Sequence, residues 1–340
     1  MTEVIINVIN NLILFTPIIA LFLLINLSEK LETKTGKALG FLSCFFVILG
    51  FLAAFLIGIT LYLNGKPFLP WARHFMADGG SAQKLAKIGL SLWLPALVAI
   101  IVFIPGVRRL CSRFLPIDPQ NRVHTLALSM SMIVFIQFFV TQSFGLSTLN
   151  QQTVPNTQTG TLSSIWSQDI LLAILGLVGV GWLTRRSFKQ TLARLGLWGI
   201  TWKQAGTGML IGLVMLLAPI IAQQLSIFFD WADNTHANEL TDKILGPLLT
   251  SIPGILTLGF AAALGEEIIF RGALLPRLGF IYTSILFTLV HANYGFSVNS
   301  LVVLLLAIVL GWARIRYNTI VCMIIHATYN IFVSLLGNPF

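Results

Sequence analysis

The sequence predicts an all-α polytopic membrane protein of about ten transmembrane helices, with both termini on the non-cytoplasmic side. Three observations predict it. Hydrophobic residues occupy 56% of the 340 positions and charged residues 10%, against about 25% charged in a soluble domain. Apolar runs of bilayer length recur throughout, giving a mean hydropathy of +0.88, and they are continuous rather than alternating, which excludes a β-barrel pattern. Basic residues are concentrated in every second connection, as the positive-inside rule requires.

The apolar segments run roughly 5–27, 38–63, 86–105, 125–144, 169–184, 205–228, 247–270, 279–297, 300–314 and 318–337. The first lacks a basic leader and is too long for the core of a signal peptide, so it reads as a membrane helix. The fifth and ninth are short for a span. Gly208 and Gly212 form a GxxxG in the sixth, a helix-packing signal. The segment 145–168 is uncharged and rich in Thr, Ser, Gln and Asn, so it reads as an external loop. The segment 228–246, with Asp230, Asp233, Glu239 and Asp242, falls on the same side. The chain divides into an N-terminal membrane region, 1–204, and a C-terminal one, 205–340, with no internal repeat and no soluble domain.

One side of the expected topology holds Lys30, Lys34, Lys37, Arg108, Arg109, Arg113, Arg122, Arg185, Arg186, Lys189, Arg194, Lys203, Arg271, Arg277, Arg314 and Arg316. The other holds only Lys66, Arg73, Lys84, Lys87 and Lys243. This distribution accounts for the net charge of +9 through contact with anionic lipid heads, so no nucleic-acid partner is expected. The expected membrane is the plasma (inner) membrane in a bacterium or the endoplasmic reticulum in a eukaryote. Cys44, Cys111 and Cys322 form no CxxC pair and read as packing residues.

Of twelve acidic residues, ten lie in loops or at segment ends, and only Glu266 and Glu267 lie within an expected apolar segment. An ionised carboxylate at the centre of a membrane helix costs about 2.5–3.5 kcal/mol on insertion scales, and an intramembrane acid is a functional-site hypothesis by default. Consecutive helical residues point about 100° apart, so the two cannot face one cavity equally. Glu267 and Arg271 are spaced i,i+4 with the acid first, the favourable orientation for an ion pair. Glu267 therefore reads as structural, and Glu266 as the reactive group.

His74, His124 and His236 sit in or beside loops, whereas His291 and His326 sit in the eighth and tenth segments. Phe287 lies four residues before His291, and Asn330 four after His326, each pair on one helix face. Counted from the expected segment ends, Glu266, His291, His326 and Asn330 converge in the cytoplasmic half of the bilayer. A carboxylate beside a histidine can hold and deprotonate a water. A second histidine and an amide offer donors to a developing oxyanion. Together these suit amide hydrolysis without a covalent intermediate. No GxSxG motif and no suitably placed Cys competes as nucleophile.

The sequences Glu266-Glu267-Ile268-Ile269-Phe270-Arg271, Phe287-Thr288-Leu289-Val290-His291 and His326-Ala327-Thr328-Tyr329-Asn330 resemble, in order, the EExxxR, FxxxH and HxxxN motifs of the CPBP family. That family contains type II CAAX prenyl endopeptidases and the bacteriocin-processing and immunity (Abi) proteins. The resemblance covers about residues 247–337. It implies an intramembrane glutamate-type protease in which Glu266 activates water, His291 assists it, and His326 with Asn330 forms the oxyanion site. It also implies a membrane-associated, prenylated or leader-peptide substrate that enters from the cytoplasm or laterally from the bilayer. Glu267, Arg271 and Phe287 would support the site, and no cofactor would be needed. Gly265 and the Pro253-Gly254 pair suggest a bend in the seventh helix that opens a cavity.

Three other readings use the same residues. Glu266, His291 and His326 form a two-His, one-carboxylate set of the kind zinc takes, although HExxH is absent. An immunity or scaffold protein would keep the fold without the reaction. A transporter would use the acids for proton coupling, but the inverted repeat common in transporters is missing. Oligomeric state is not legible.

Overall fold

The computed structural model describes residues 2–31, 33–64, 81–152, 157–229 and 235–336. Lys66, Arg73, His74, Asp230 and Asp233 lie outside them. Among the described residues there is no strand; the chain is an all-α, integral multi-pass membrane protein. Helices in chain order are α1 (Thr2–Lys30), α2 (Lys34–Asn64), α3 (Ala82–Ile101), α4 (Pro105–Cys111), α5 (Arg122–Met130), α6 (Met132–Phe144), α7 (Leu146–Gln152), α8 (Gln158–Gly179), α9 (Phe188–Leu195), α10 (Trp202–Val214), α11 (Leu217–Phe228), α12 (Thr235–Leu249) and α13 (Ile252–Glu266). A π-helix, Glu267–Leu274, continues α13 into α14 (Leu275–Leu278), and α15 (Phe280–Val290), α16 (Val298–Arg316) and α17 (Thr319–Leu335) complete the chain. Eight of the resulting stretches are long and apolar enough to cross a membrane, and α15 and α17 are shorter apolar helices, so all ten expected segments have a helical counterpart.

Several boundaries differ from the sequence expectation. The short apolar helices are α15 and α17, not the fifth and ninth segments. The described residues of the segment 145–168 do not form a loop: they build α7 and the first half of α8. Its polar residues are tolerated because α1 satisfies them. Asn7 donates to Ser163 Oγ at 2.6 Å, and Asn11 donates to Ser167 Oγ. Further along, Asn26 donates to the carbonyls of Val178 and Gly179, each at 3.2 Å. Most of 228–246 that is described is also helical, as α12, and residues 247–249 belong to it rather than to the seventh span. Pro253 does not bend the seventh helix but occupies its first turn, where its missing N–H costs nothing, behind the Ser251 cap.

Close helix approach follows from small residues. A Cβ on Gly212 would lie 2.7 Å from the Ile325 carbonyl oxygen, and one on Gly208 3.1 Å from Ile324 Cγ2, so the GxxxG seats α10 on α17. The buried cluster beneath the C-terminal helices includes Phe270, Leu286, Phe287, Leu310, Ile325 and Tyr329.

The basic connections meet at one end of the bundle. Lys30 donates to the Thr184 carbonyl at 2.9 Å, Arg122 to Ser28 Oγ at 2.9 Å, Arg194 to the Gly272 carbonyl at 3.4 Å and Asn318 to the Gly199 carbonyl at 2.8 Å. Capping boxes at Ser187–Gln190 and Thr201–Gln204 fix the helices on either side of the 196–201 turn. The opposite end joins α7, α12 and the 291–297 turn. There Asn293 donates to Thr241 Oγ1 at 3.0 Å, and Lys243 to the Asn150 carbonyl at 2.6 Å.

Candidate active site

A cavity of about 1000 Å³ runs inside the bundle, and Glu266, His291, His326 and Asn330 all line it. The structure thus brings together the four residues that the sequence suggests for catalysis. Glu267 and Arg271 do not line the cavity and are almost fully buried behind it, with 0% and 1% exposure. The two glutamates accordingly face different surroundings, as their adjacent helical positions require.

The seventh span is longer than its hydropathy suggests. It continues past Glu266 through the π-helix to Leu278, so Glu266 sits well inside the span and not near its end. Glu266 closes α13 as regular helix; from Glu267 the i→i+5 pattern takes over, a local widening that recurs at functional sites.

Behind the cavity, Glu267 Oε1 accepts from Arg271 Nη1 at 3.1 Å and from His326 Nδ1 at 2.8 Å. Arg271 Cζ lies 3.9 Å from the centre of the Phe287 ring. That ring stands edge-on to Phe270 at 5.3 Å and to His326 at 5.9 Å, and lies 5.0 Å from His291. Phe287, 1% exposed, is therefore the packing centre that holds both histidines and the guanidinium. The guanidinium gains from the ring face in a desolvated place.

His291 differs from its expected setting inside a helix. Helix α15 ends at Val290, His291 forms its C-cap (φ −86°, ψ 51°), and a short 3₁₀ turn, Ala292–Tyr294, follows. Gly295 at φ 60° lets the chain leave that turn. Ending the helix frees the imidazole to reach back, so that Nδ1 lies 2.9 Å from the Phe287 carbonyl oxygen. A carbonyl only accepts, so Nδ1 carries the proton and Nε2 is the free position. The ring of Tyr294 stacks parallel to it at 6.1 Å.

The same reasoning constrains His326. Its Nδ1 donates to Glu267, so Nε2 presents a lone pair in the neutral ring and a donor only in the imidazolium. Donation to an oxyanion by this ring therefore calls for the charged form, beside the Glu267 carboxylate. Asn330 spends one amide proton on the Leu258 carbonyl at 3.0 Å, which ties α17 to α13, and keeps a second donor.

Sequence reasoning missed Asp169. The apolar pattern sets it at the start of the fifth segment, 169–184, whereas α8 begins at Gln158 and holds Asp169 inside the bundle at 3% exposure. It lines the cavity, and its Oδ1 has no hydrogen-bond partner. Glu266 Oε2 is likewise buried without a partner. Gly265 lets α13 approach α8 at Asp169: a Cβ there would lie 2.4 Å from Asp169 Oδ1 and 2.6 Å from its Cα. The signal that locates Asp169 is the polar stripe Ser163, Ser167 at i,i+4, which continues the helix upstream. Among the described residues no three His, Cys, Asp or Glu side chains are grouped as a metal ion would need.

Residues 248–332 match the family model of the type II CAAX prenyl endopeptidases, Rce1-like. No curated protein and no solved structure matches the chain. The matched residues carry Glu266, His291, His326 and Asn330 but not Asp169.

Proposed function

We propose that this chain, whose residues 248–332 match the Rce1-like family model, is an intramembrane protease of the CPBP family that hydrolyses a peptide bond of a membrane-associated substrate by direct attack of water. The observation that carries the reading is the pair of buried, unpartnered carboxyl oxygens on Glu266 and Asp169, which face a cavity also lined by His291, His326 and Asn330. Buried polar oxygens without partners are costly unless something polar occupies the space beside them.

In this reading Glu266 holds a water and takes its proton as the oxygen attacks the scissile carbonyl. The Nε2 lone pair of His291 orients the same water from the other side. The carbonyl oxygen, gaining negative charge, is stabilised by the second Asn330 amide proton and by His326, whose ring Glu267 holds through Nδ1. The proton gained by Glu266 then passes to the departing amine, so the reaction returns every group to its starting state. Glu267, Arg271 and Phe287 position the histidines and touch no substrate.

The test is incubation of purified protein in lipid nanodiscs with a library of membrane-inserting peptides in ¹⁸O-labelled water. New C-termini carrying the label are expected from the wild type and not from Glu266→Gln. Equal cleavage by both proteins overturns the assignment, and no cleavage by the wild type favours a non-catalytic immunity or scaffold role. Because the two-His, one-carboxylate set lines the cavity, a zinc-dependent variant has a direct check: activity is expected to survive exhaustive chelation, and its loss with recovery on zinc addition sinks the metal-free reading.

A further inference from the structure

Asp169 is a buried carboxyl on the cavity wall to which the proposed reaction gives no task. It stands at the middle of α8, eleven residues after Gln158 and ten before Gly179, a depth at which an acid marks a functional site. It is 3% exposed, and its Oδ1 has no hydrogen-bond partner. Among the described residues no Lys, Arg or His lies within ion-pairing distance of it. Asp242, the third acid on the cavity wall after Asp169 and Glu266, is exposed instead. The crossing of α8 with the seventh span holds Asp169 in place. Trp166 Nε1 donates to Thr257 Oγ1 at 3.1 Å on one side, and Gly176 makes room for Ile268 on the other, where a Cβ would lie 2.6 Å from Ile268 Cγ2. Between them a Cβ on Gly265 would lie 2.4 Å from Asp169 Oδ1. The Glu266 Cα is one carbon–carbon bond and one Cα–Cα step further, so Oδ1 lies within about 8 Å of it. Glu266 Oε2 is also buried without a partner. With both side chains opening on one cavity, a proton can pass between them directly or through one water.

We propose that Asp169 is the acid that protonates the departing amine, an inference that rests on the peptidase reading of the same cavity. The other polar groups there are committed: His291 Nδ1 to the Phe287 carbonyl, His326 Nδ1 to Glu267, and one Asn330 amide proton to the Leu258 carbonyl. Asp169 acts as the neutral acid, the form of a carboxyl that has a proton to give. The water oxygen forms its bond to the scissile carbon while Glu266 takes a proton from that water. The C–N bond then breaks as Asp169 gives its proton to the nitrogen, which leaves as a neutral amine. The proton on Glu266 passes to Asp169, so Glu266 is again a carboxylate and Asp169 again an acid. One water is consumed, and the protein neither gains nor loses a proton. Two charges buried on one cavity wall would repel each other, and a single proton held between the two carboxyls removes that repulsion. An amide needs this help because its nitrogen is too basic to leave without a proton. Asp169 lies outside the residues that match the family model, 248–332.

The experiment uses full-length protein in lipid nanodiscs and two probes: a peptide that the wild type cuts, and its acyl segment as the p-nitrophenyl ester, whose leaving group needs no proton. Asp169→Asn, which keeps the shape of the side chain, is expected to lower kcat for the peptide at least about a hundredfold more than for the ester, with KM for the peptide unchanged. Glu266→Gln is expected to lower both, because both need the activated water. Equal effects of Asp169→Asn on the two probes, or no effect on either, overturn the proposal and leave the peptidase reading standing. A wild type that cuts no peptide overturns both. A second measurement needs no variant to fold. A hydrophobic carbodiimide adds to protonated carboxyls, so wild-type protein treated with it at neutral pH is expected to carry the adduct on Asp169, located by mass spectrometry of its peptides. An unlabelled Asp169 overturns the proposal.

Discussion

Replacing Glu267 by Gln is expected to damage folding before chemistry. The side chain is 0% exposed and its Oε1 receives both Arg271 Nη1 and His326 Nδ1. Glutamine keeps an oxygen at that place, so the hydrogen bonds can persist and the loss is one of charge. Arg271, 1% exposed, is left without a counter-ion, since its remaining contact is the face of Phe287. Removing one partner of a buried ion pair costs about 3–5 kcal/mol, whereas replacing both partners by apolar groups is often neutral. The assay is a double-mutant cycle on purified protein in detergent, read by thermal unfolding and by membrane yield. Glu267→Gln and Arg271→Met are each expected to destabilise strongly, and the double variant to lie closer to wild type than either. Costs that simply add refute the reasoning, as does a Glu267→Gln protein with wild-type stability and no turnover. The latter outcome moves Glu267 into the catalytic set.

Other substitutions separate packing from chemistry. Gly265→Ala is expected to destabilise the protein and lower activity, because its Cβ would lie 2.6 Å from the Asp169 backbone; Asp169→Ala is not expected to rescue it, and thermal unfolding of the double variant checks this. His291→Ala is expected to lower kcat at least about a hundredfold, within the range of general-base contributions, with an unchanged melting curve in detergent. Phe287→Leu is expected to lower both stability and kcat, since one ring supports Arg271, His291 and His326 together; a variant with intact kcat shows that the ring is dispensable for positioning.

The membrane class was legible because bilayer-length apolar runs and alternating basic loops are properties of composition and order. The site residues were legible for a related reason: Glu266, Glu267, His291, His326 and Asn330 are rare types in an apolar background. Asp169 was not, because the polar residues upstream of it imitate a loop until Asn7 and Asn11 of α1 are known to pair with Ser163 and Ser167. The π-helix at Glu267–Leu274 leaves no periodic trace in so short a stretch. The early end of α15 at Val290, which turns His291 back to the Phe287 carbonyl, depends on the 292–295 turn, whose apolar flanks conceal it within a longer hydropathy peak. Tertiary pairing decided each of these cases.

The central claim, that Glu266 activates water for peptide hydrolysis, is tested most directly by comparing peptide termini in host membranes that carry equal amounts of wild-type or Glu266→Gln protein. A defined set of termini present with the wild type and missing with the variant is the expected result. Identical profiles, with the wild type still performing its cellular role, contradict the claim and make the two glutamates part of a binding protein.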